Sequence, residues 1–343
     1  MITIHIVDIS VKNNLCKDFI MGYNSFILRL INDNSLLSYV GGRVLDPKVS
    51  VIMPIYNNED YLFHSINSIL NQTFSDFEFI IIDDGSTDHS LETVHKFKDK
   101  RIKLIINKNN LGISKALNIG IEHCLGEYIA RMDGDDVSVN KRLEKQIYFM
   151  ENNKDISICG CNMHIINKNG TKSCTTNYCL LDSEIKTDML FGKTPLAHPT
   201  IMCRRSFIND YNIRYNADAL YAEDLDLYCR CCNIAKYANI DEKLHYYRIH
   251  DSSVSIQHKT QQLNIARFVI NRFLKSEGLM LTDNEFNIHC SLYLPLENNY
   301  KINENDRITW REKMESFIES KKKYNKTRFN DLMRIINKKM EML

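Results

Sequence analysis

The sequence predicts an α/β fold in which helices flank a mostly parallel central sheet, with a mainly helical extension at the C-terminus. Between residues 47 and 155, short apolar runs alternate with amphipathic segments. This alternation is typical of right-handed βαβ units, whose strands pair in parallel. After His258 the apolar residues recur at helical spacing, which indicates helices.

Four strand-like runs define the first half of the sheet, and each is short, apolar and bounded by turn-forming residues. The predicted strands are residues 49–57, 77–88, 101–107 and 127–132, and the second of these ends in turn-forming residues. The predicted helices are residues 60–71, 114–124 and 140–153, together with a helix after the second strand that Ser86 or Thr87 can cap. In the second half, strands are predicted at residues 156–160, 162–167 and 244–249, with a hairpin turn at Asn169-Gly170 and a helix after Glu223-Asp224.

Three regions follow from this pattern. Residues 1–46 form an N-terminal extension without clear periodicity, with a candidate strand at residues 2–11 and a candidate helix at residues 25–37. Residues 47–255 form the α/β domain, and residues 256–343 form the helical C-terminal region. Gly41-Gly42 and Pro47 mark the first boundary, because glycine and proline interrupt regular structure.

Composition and charge narrow the class of protein. A net charge of +1, with 25% charged and 44% hydrophobic residues, excludes extensive disorder and gives no general reason to expect nucleic-acid binding. The 11 cysteines are scattered and often lie in apolar runs, so buried reduced thiols are expected. Zinc is the alternative at Cys229, Cys231 and Cys232, but these lack a second ligand pair at zinc spacing. The N-terminus does not resemble a signal peptide, and no run reaches about 18 apolar residues, so we expect a cytoplasmic protein, peripheral to a membrane at most.

The segment GEYIARMDGDD, residues 126–136, is the most informative part of the chain. A short strand-like run ends in three carboxylates, Asp133, Asp135 and Asp136. Carboxylates this close raise one another's pKa unless a cation or hydrogen-bond donors compensate. A hard divalent cation, Mg²⁺ or Mn²⁺, is the usual compensation, and a solvated acidic turn is the alternative.

Polar residues follow three of the predicted strands, at the edge of the sheet where ligands bind in parallel α/β folds. These clusters are residues 54–57, 83–86 and 133–135. Tyr56 can stack on a nucleotide base, Asp84 can accept a hydrogen bond from a ring N–H, and Asp135 can hold a metal that bridges two phosphates. For residues 83–86 an ordinary strand-to-helix turn is the alternative.

Six ordered motifs give the sequence its resemblance to a known family. They are VSVIMPIYN (49–57), IIIDDGSTD (80–88), NLGISKALNIGI (110–121), GEYIARMDGDD (126–136), YAEDLDLYCR (221–230) and YYRIHDSSVS (246–255). This span resembles an inverting family 2 glycosyltransferase with the GT-A fold, a nucleotide-sugar-dependent enzyme. Residues 1–46 and those after about residue 260 lie outside the resemblance.

The resemblance implies a role for each matching position. The first nucleotide-binding loop of the family corresponds to Pro54, Tyr56, Asn57 and Glu59, the carboxylate that recognises a uracil-type base corresponds to Asp84, and the lining of the donor pocket includes Lys115. The ribose contact corresponds to Asp133, the metal ligand to Asp135 and the catalytic base to Asp224. A further metal or pyrophosphate contact corresponds to His250, and a phosphate contact to Arg248. Glu223 is the alternative base, because it adjoins Asp224.

The chemistry of inverting transfer agrees with this assignment. The acceptor hydroxyl loses a proton as it attacks the anomeric carbon, and the nucleoside diphosphate that leaves carries negative charge. The resemblance and this chemistry therefore predict a hexosyl- or N-acetylhexosaminyltransferase that uses Mn²⁺ or Mg²⁺ and favours a UDP-sugar donor. The predicted acceptor is a glycan, a lipid-linked molecule or a protein, in polysaccharide or glycoconjugate biosynthesis. A sugar nucleotidyltransferase is an alternative, although residues 54–58 lack the glycine-rich phosphate loop that it requires. An inactive glycan-binding or scaffold protein on the same fold is the other alternative.

The C-terminal region is basic. Residues 307–343 contain eleven lysines and arginines against five acidic residues. A solvated helix face explains this excess, and contact with an anionic membrane, a polyanionic acceptor or a second subunit is the alternative. Trp310, the single tryptophan, is predicted to be a packing residue. His198-Pro199-Thr200 is interpreted either as part of the acceptor side or as a proline-ordered turn.

Overall fold

The computed structural model describes residues 38–40, 43–291, 293–295 and 304–341. The chain divides into two compact units, Met1–Leu45 and Asp46–Leu343. In the first unit, β1 (Ser38–Val40) pairs antiparallel with β2 (Arg43–Leu45). The strand and helix predicted at residues 2–11 and 25–37 lie outside the described residues.

A single mixed sheet forms the centre of the second unit. Its strands are β3 (Val49–Ile55), β4 (Phe77–Asp83), β5 (Ile102–Ile106), β6 (Tyr128–Arg131), β7 (Val137–Ser138), β8 (Ile158–Asn167), β9 (Lys172–Thr175), β10 (Met202–Arg204) and β11 (Tyr237–Ile249). Their order is β5-β4-β3-β6-β10-β8-β11-β7, with β9 paired to β8. The pairs among β3, β4, β5 and β6 are parallel, as is β8 with β11, whereas β7, β9 and β10 run antiparallel to their partners.

Helices cover both faces of this sheet. They are α1 (Glu59–Leu70), α2 (Ser90–His95), α3 (Ile113–Glu122), α4 (Arg142–Asn152), α5 (Asp182–Leu190), α6 (Arg205–Asp210), α7 (Glu223–Cys231), α8 (Val254–Gln257), α9 (Lys259–Ser276), α10 (Asp283–Cys290), α11 (Glu304–Ser320) and α12 (Lys326–Glu341), with a 3₁₀ turn at His198–Thr200. The α/β fold class that the sequence predicts is confirmed.

The period-two alternation of strand residues explains how one sheet serves two cores. In β4, Phe79 and Ile81 pack with α1 and α4, while Ile80 and Ile82 pack with α3 on the other face. Every residue of β4 is buried, which is why four consecutive apolar residues, Phe79 to Ile82, run through its centre without alternating with polar ones. Pro54 fits within β3 because the pairing with β6 ends at Ile52.

Three local predictions are wrong. The two strands predicted at residues 156–160 and 162–167 are one strand, β8, because buried Cys161 continues the pairing with β11. The late strand begins at Tyr237 rather than at residue 244. Helix α2 begins at Ser90, with no side-chain cap from Ser86 or Thr87, because their groups bond to the preceding loop instead.

The C-terminal helices pack into the same apolar core as the sheet. Trp310 is fully buried there, as predicted. Two of the basic residues pair with buried acids of the core: Arg328 Nε lies 2.6 Å from Asp188, and Lys313 Nζ lies 2.7 Å from Glu285. The excess positive charge of this region therefore serves in part to dock the helices. None of the helices in the described ranges has the length and apolar character needed to cross a bilayer.

The cysteine prediction agrees with the structure over the described residues. Cys229, Cys231 and Cys232 are buried free thiols, and burial raises the pKa of Cys231 to about 11. Over the same part of the chain, the one group of side chains arranged to hold a metal consists of three aspartates.

Candidate active site

The loops that follow β3 and β4 are tied together at the carboxyl edge of the sheet. Asn57 accepts a hydrogen bond from Thr87 N at 2.8 Å, and its own N–H donates to Ser86 Oγ at 3.1 Å. Glu59 Oε2 accepts from His89 N at 2.8 Å. Asn57 has a φ of 52°, a left-handed conformation that asparagine tolerates better than most residues. These contacts give the predicted nucleotide-binding loop a fixed shape.

Three predicted donor contacts differ in exposure at this edge. Tyr56 is 44% exposed, so its ring is available for stacking. Lys115 lies on α3 and is exposed, whereas Pro54 is buried within β3. Pro54 can therefore shape the loop but offers little surface of its own to a ligand.

Asp84 is buried, and its carboxylate holds the loop that follows β5. It accepts hydrogen bonds from Asn107 Nδ2 at 2.8 Å, Leu111 N at 3.0 Å and Gly112 N at 2.8 Å. Gly85 beside it has a φ of 75°, and a Cβ there would lie 2.7 Å from the backbone of Asn109. A base N–H has to compete with these donors, so recognition of a base by Asp84 stays a prediction.

The acidic cluster lies between β6 and β7. One carboxylate oxygen from each of Asp133, Asp135 and Asp136 falls within 4.8 Å of the others. Asp136 is fully buried; its Oδ1 accepts a hydrogen bond from Arg248 N at 2.8 Å, and its Oδ2 lies 2.8 Å from His245 Nε2. Burial, followed by the charge of Asp135, raises the pKa of Asp136 well above its usual range. Asp136 therefore fixes β11 against the cluster, whereas Asp133 and Asp135 are only partly buried.

Asp135 is paired with His250, the other residue that the sequence predicts to bind the metal. His250 Nε2 lies 3.0 Å from Asp135 Oδ2, and His250 Nδ1 lies 2.8 Å from Ser252 Oγ. The imidazole packs against the ring of Tyr61, with centroids 4.8 Å apart. Two residues 115 positions apart in the sequence thus share one edge of the sheet.

Arg248 is buried, and its guanidinium is held by the protein. Arg248 Nε donates to the carbonyl oxygen of Asp135 at 2.8 Å, and Nη1 lies 3.3 Å from the carbonyl oxygens of Asn167 and Lys168. The guanidinium also lies 4.6 Å from the centre of the Tyr61 ring. Arg248 therefore positions the acidic loop, and its predicted phosphate contact stays a prediction.

Asp133 pairs with Arg131, a residue that the sequence reasoning did not single out. Burial raises the pKa of Asp133 to about 6, the Arg131 guanidinium opposes this, and the charges of Asp135 and Asp224 add to it. Because the charge of Asp224 contributes to the rise in the Asp133 pKa, the two carboxylates lie close enough for their charges to interact although 91 positions separate them. An arginine inside a fully buried strand is the signal that could have identified Arg131, since a buried charge requires a partner.

Asp224 and Glu223 open helix α7. Burial raises the pKa of Asp224, and the hydrogen bond from Leu225 N, at 2.7 Å, and the charge of Arg131 oppose the rise. Burial and the neighbouring charge of Asp224 raise the pKa of Glu223 to about 7.

Glu223 also borders His198, which the sequence placed on the acceptor side or in a turn. His198 Nδ1 lies 3.9 Å from Glu223 Oε1, and His198 Nε2 lies 2.9 Å from the Tyr215 hydroxyl. His198 is buried, and its burial lowers its pKa well below the usual range, so this imidazole is neutral. The 3₁₀ turn therefore backs the α7 N-terminus from inside the protein.

Comparison with known proteins agrees with this fold. The model of the family "Glycosyl transferase family 2" matches residues 50–211. The O-antigen biosynthesis glycosyltransferase WbnJ of Escherichia coli is 36% identical over 246 residues, which cover 69% of this chain and 92% of that protein. An uncharacterized glycosyltransferase of Haemophilus influenzae is 36% identical over 231 residues, covering 64% of this chain and 71% of that protein.

Two solved structures share the fold. S. aureus TarS 1–349, in complex with UDP-GlcNAc, superposes with a TM-score of 0.59 at 18% identity and covers 86% of this chain and 92% of that one. The mannosyltransferase PcManGT of Pyrobaculum calidifontis, in complex with GDP-Man and Mn²⁺, has a TM-score of 0.52 at 14% identity, covering 88% and 83%. The fold is thus that of the GT-A glycosyltransferases. The chain belongs to glycosyltransferase family 2, and it is an enzyme that transfers a sugar.

Proposed function

We propose that this enzyme transfers a hexosyl or N-acetylhexosaminyl group from a nucleoside diphosphate sugar, a UDP-sugar by preference, with inversion and with the help of a divalent cation. The observation that carries the proposal is that the charge of Asp224 acts on Asp133, whose carboxylate clusters with that of Asp135. Inverting transfer needs one carboxylate base opposite a site that stabilises the leaving diphosphate, and we assign these two roles to Asp224 and to the acidic loop.

The residues at the acidic loop fit a cation such as Mn²⁺ or Mg²⁺. Asp135 Oδ2 and His250 Nε2 lie 3.0 Å apart and would hold the cation, while Ser252 Oγ lies 2.8 Å from His250 Nδ1 and orients the imidazole. A cation bound there would offset the negative charge of the diphosphate.

Asp224 is suited to accept the proton of the acceptor hydroxyl. Burial raises its pKa above that of an exposed aspartate, which strengthens it as a base near neutral pH. Burial and the charge of Asp224 also raise the pKa of Glu223, to about 7, so Glu223 is the alternative base. We assign the removal of the acceptor proton to Asp224, because the family resemblance implies this position.

The neighbours support a nucleotide-sugar donor without fixing the nucleotide. TarS was solved in complex with UDP-GlcNAc and PcManGT in complex with GDP-Man, so this fold accommodates both bases. The WbnJ relative acts in O-antigen biosynthesis, which favours a glycan acceptor for this enzyme. Tyr56 is the exposed ring that we assign to base stacking.

The test is a thermal-shift screen followed by one substitution. Wild-type protein is heated with UDP-GlcNAc, UDP-glucose, UDP-galactose and GDP-mannose, each with and without Mn²⁺, because a true donor stabilises the folded state by mass action. Asp224→Asn should retain the shift given by the donor and lose the release of nucleoside diphosphate. Asp218→Asn, which neutralises an exposed aspartate in the preceding loop, is the matched control and should retain both.

Two results contradict the proposal. A near-normal rate of nucleoside diphosphate release from Asp224→Asn excludes it as the base. A protein that no nucleotide sugar stabilises, with or without Mn²⁺, is instead the inactive glycan-binding alternative.

A further inference from the structure

Tyr221, three residues before the proposed base, has an unusual backbone conformation. Its φ is 69°, in the left-handed region that bulky residues avoid because the Cβ crowds the following carbonyl. Ala222, the residue that precedes α7, then returns to a φ of −135°. The chain therefore turns sharply just before α7, and the turn sets the direction in which that helix starts.

Helix α9 supplies the contacts that hold Tyr221 in this conformation. Gln262 Nε2 donates to the carbonyl oxygen of Tyr221 at 2.8 Å. The ring of His258 stacks on the ring of Tyr221, with centroids 4.3 Å apart and planes 9° from parallel. His258 immediately precedes α9 and Gln262 lies in its first turn, beyond the part matched by the family model. Strained conformations persist where the surroundings fix them, and they are common at functional sites.

The same helix also fixes α7 beyond the base. Asp226 is fully buried, and its carboxylate pairs with Arg272 of α9 and with Arg230, whose Nε lies 2.7 Å away. Asp224 lies between this anchor and Tyr221. Over the described residues, the hydrogen bond seen to the Asp224 carboxylate comes from the adjacent Leu225 N, so the position of the carboxylate depends on where the backbone of α7 begins.

We propose that His258 and Gln262 are positioning residues for Asp224, because they hold Tyr221 in the left-handed turn that starts α7. This inference rests on the proposed role of Asp224 as the base. A base acts only within hydrogen-bond reach of the proton it takes, so a displaced α7 N-terminus lowers turnover while leaving the donor site at the acidic loop intact.

The experiment compares the double variant His258→Ala/Gln262→Ala with wild type. Release of nucleoside diphosphate is followed for whichever of the four donors of the screen gives the fastest wild-type rate. We expect kcat to fall by about tenfold. Without these contacts, the cost of the left-handed conformation to a non-glycine residue should make Tyr221 adopt it about ten times less often. The donor KM and the Tm should stay near wild type. Gln261→Ala, an exposed neighbour on α9, is the control and should leave kcat unchanged.

Two rescue variants separate positioning from a merely structural role. His258→Phe keeps a flat ring against Tyr221 and should retain kcat. Adding Tyr221→Gly to the double variant should restore kcat, because glycine adopts the left-handed conformation without help. If Tyr221→Gly restores nothing and by itself abolishes turnover, the Tyr221 ring contacts a substrate and the proposal is wrong. An unchanged kcat in the double variant also overturns it.

A readout independent of activity keeps the two proposals distinguishable. The Asp226 N–H donates to Ala222 O at 2.9 Å, in the first turn of α7. In the double variant we expect this amide to exchange with solvent about tenfold faster, since the local turn opens more often. If wild type turns over no donor, the proposed function fails, but the exchange rate still tests whether His258 and Gln262 stabilise the start of α7. An unchanged exchange rate would show that they do not.

Discussion

Replacing Glu223 by glutamine should stabilise the protein above neutral pH. The pKa of Glu223 rises from its ordinary value of 4.5 to about 7, because the carboxyl is buried and lies beside Asp224. The folded state therefore binds the proton more tightly than the unfolded state does. The resulting stability is complete below pH 4.5 and is lost as the pH rises to about 7. At about 1.4 kcal/mol for each pH unit, this loss amounts to roughly 3 kcal/mol.

Urea unfolding of wild type and Glu223→Gln at several pH values measures this effect. Glutamine matches the shape of the protonated carboxyl, so the two proteins should unfold at similar urea concentrations at pH 4.5. At pH 8 the variant should be more stable by up to about 3 kcal/mol. Asp218→Asn, which changes an exposed carboxyl, should show no such pH-dependent gain.

A second substitution tests the cause of the shift. Part of the rise in the Glu223 pKa comes from the charge of Asp224, so the gain from Glu223→Gln should shrink in an Asp224→Asn background. The reasoning is refuted if Glu223→Gln is no more stable than wild type at pH 8, or if the difference does not grow with pH.

Three other predictions concern the metal, the C-terminal helices and the sheet. Asp135→Ala should abolish the Mn²⁺-dependent part of the thermal shift while leaving the metal-free Tm within about 2 °C, since single surface-side changes rarely exceed 0.5 kcal/mol. Arg328→Met removes a partner of buried Asp188 and should cost roughly 1–2 kcal/mol in urea unfolding, whereas exposed Arg334→Met should cost less than about 0.5 kcal/mol. Gly126→Ala places a Cβ 2.4 Å from the backbone of β3, and calorimetry should show a Tm lower by several degrees, as about 2 kcal/mol of overpacking implies.

The sequence predicted the elements whose pattern is local. The mostly apolar runs of β3 and β4 are visible in the sequence because both faces of these strands are buried, and α4 shows a clear apolar stripe. The prediction of two strands at residues 156–160 and 162–167 leaves out Cys161, which lies beside the polar Asn162. Asn162 is nevertheless buried, and its Oδ1 accepts a hydrogen bond from Tyr178 N at 2.8 Å.

The parts of the site that the sequence missed depend on partners distant along the chain. Asp136 was grouped with the metal-binding acids, but its oxygens are used by His245 and Arg248, more than 100 residues away. Asp84 likewise holds a loop that begins at Asn107. Spacing along the sequence shows that an acid lies at a strand end, but it does not show which donors reach that acid.

The C-terminal helices share an apolar core with the sheet, and this matters for chimeras in which the C-terminus of one family member replaces that of another. Phe329 packs against Phe191, and Thr187 Oγ1 accepts a hydrogen bond from Asn325 N at 2.8 Å. A C-terminus grafted from a relative would meet an α5 surface shaped for other side chains. Chimeras that aim to swap acceptor preference through the last helices therefore need matching changes at α5, and without them they should aggregate rather than acquire a new specificity.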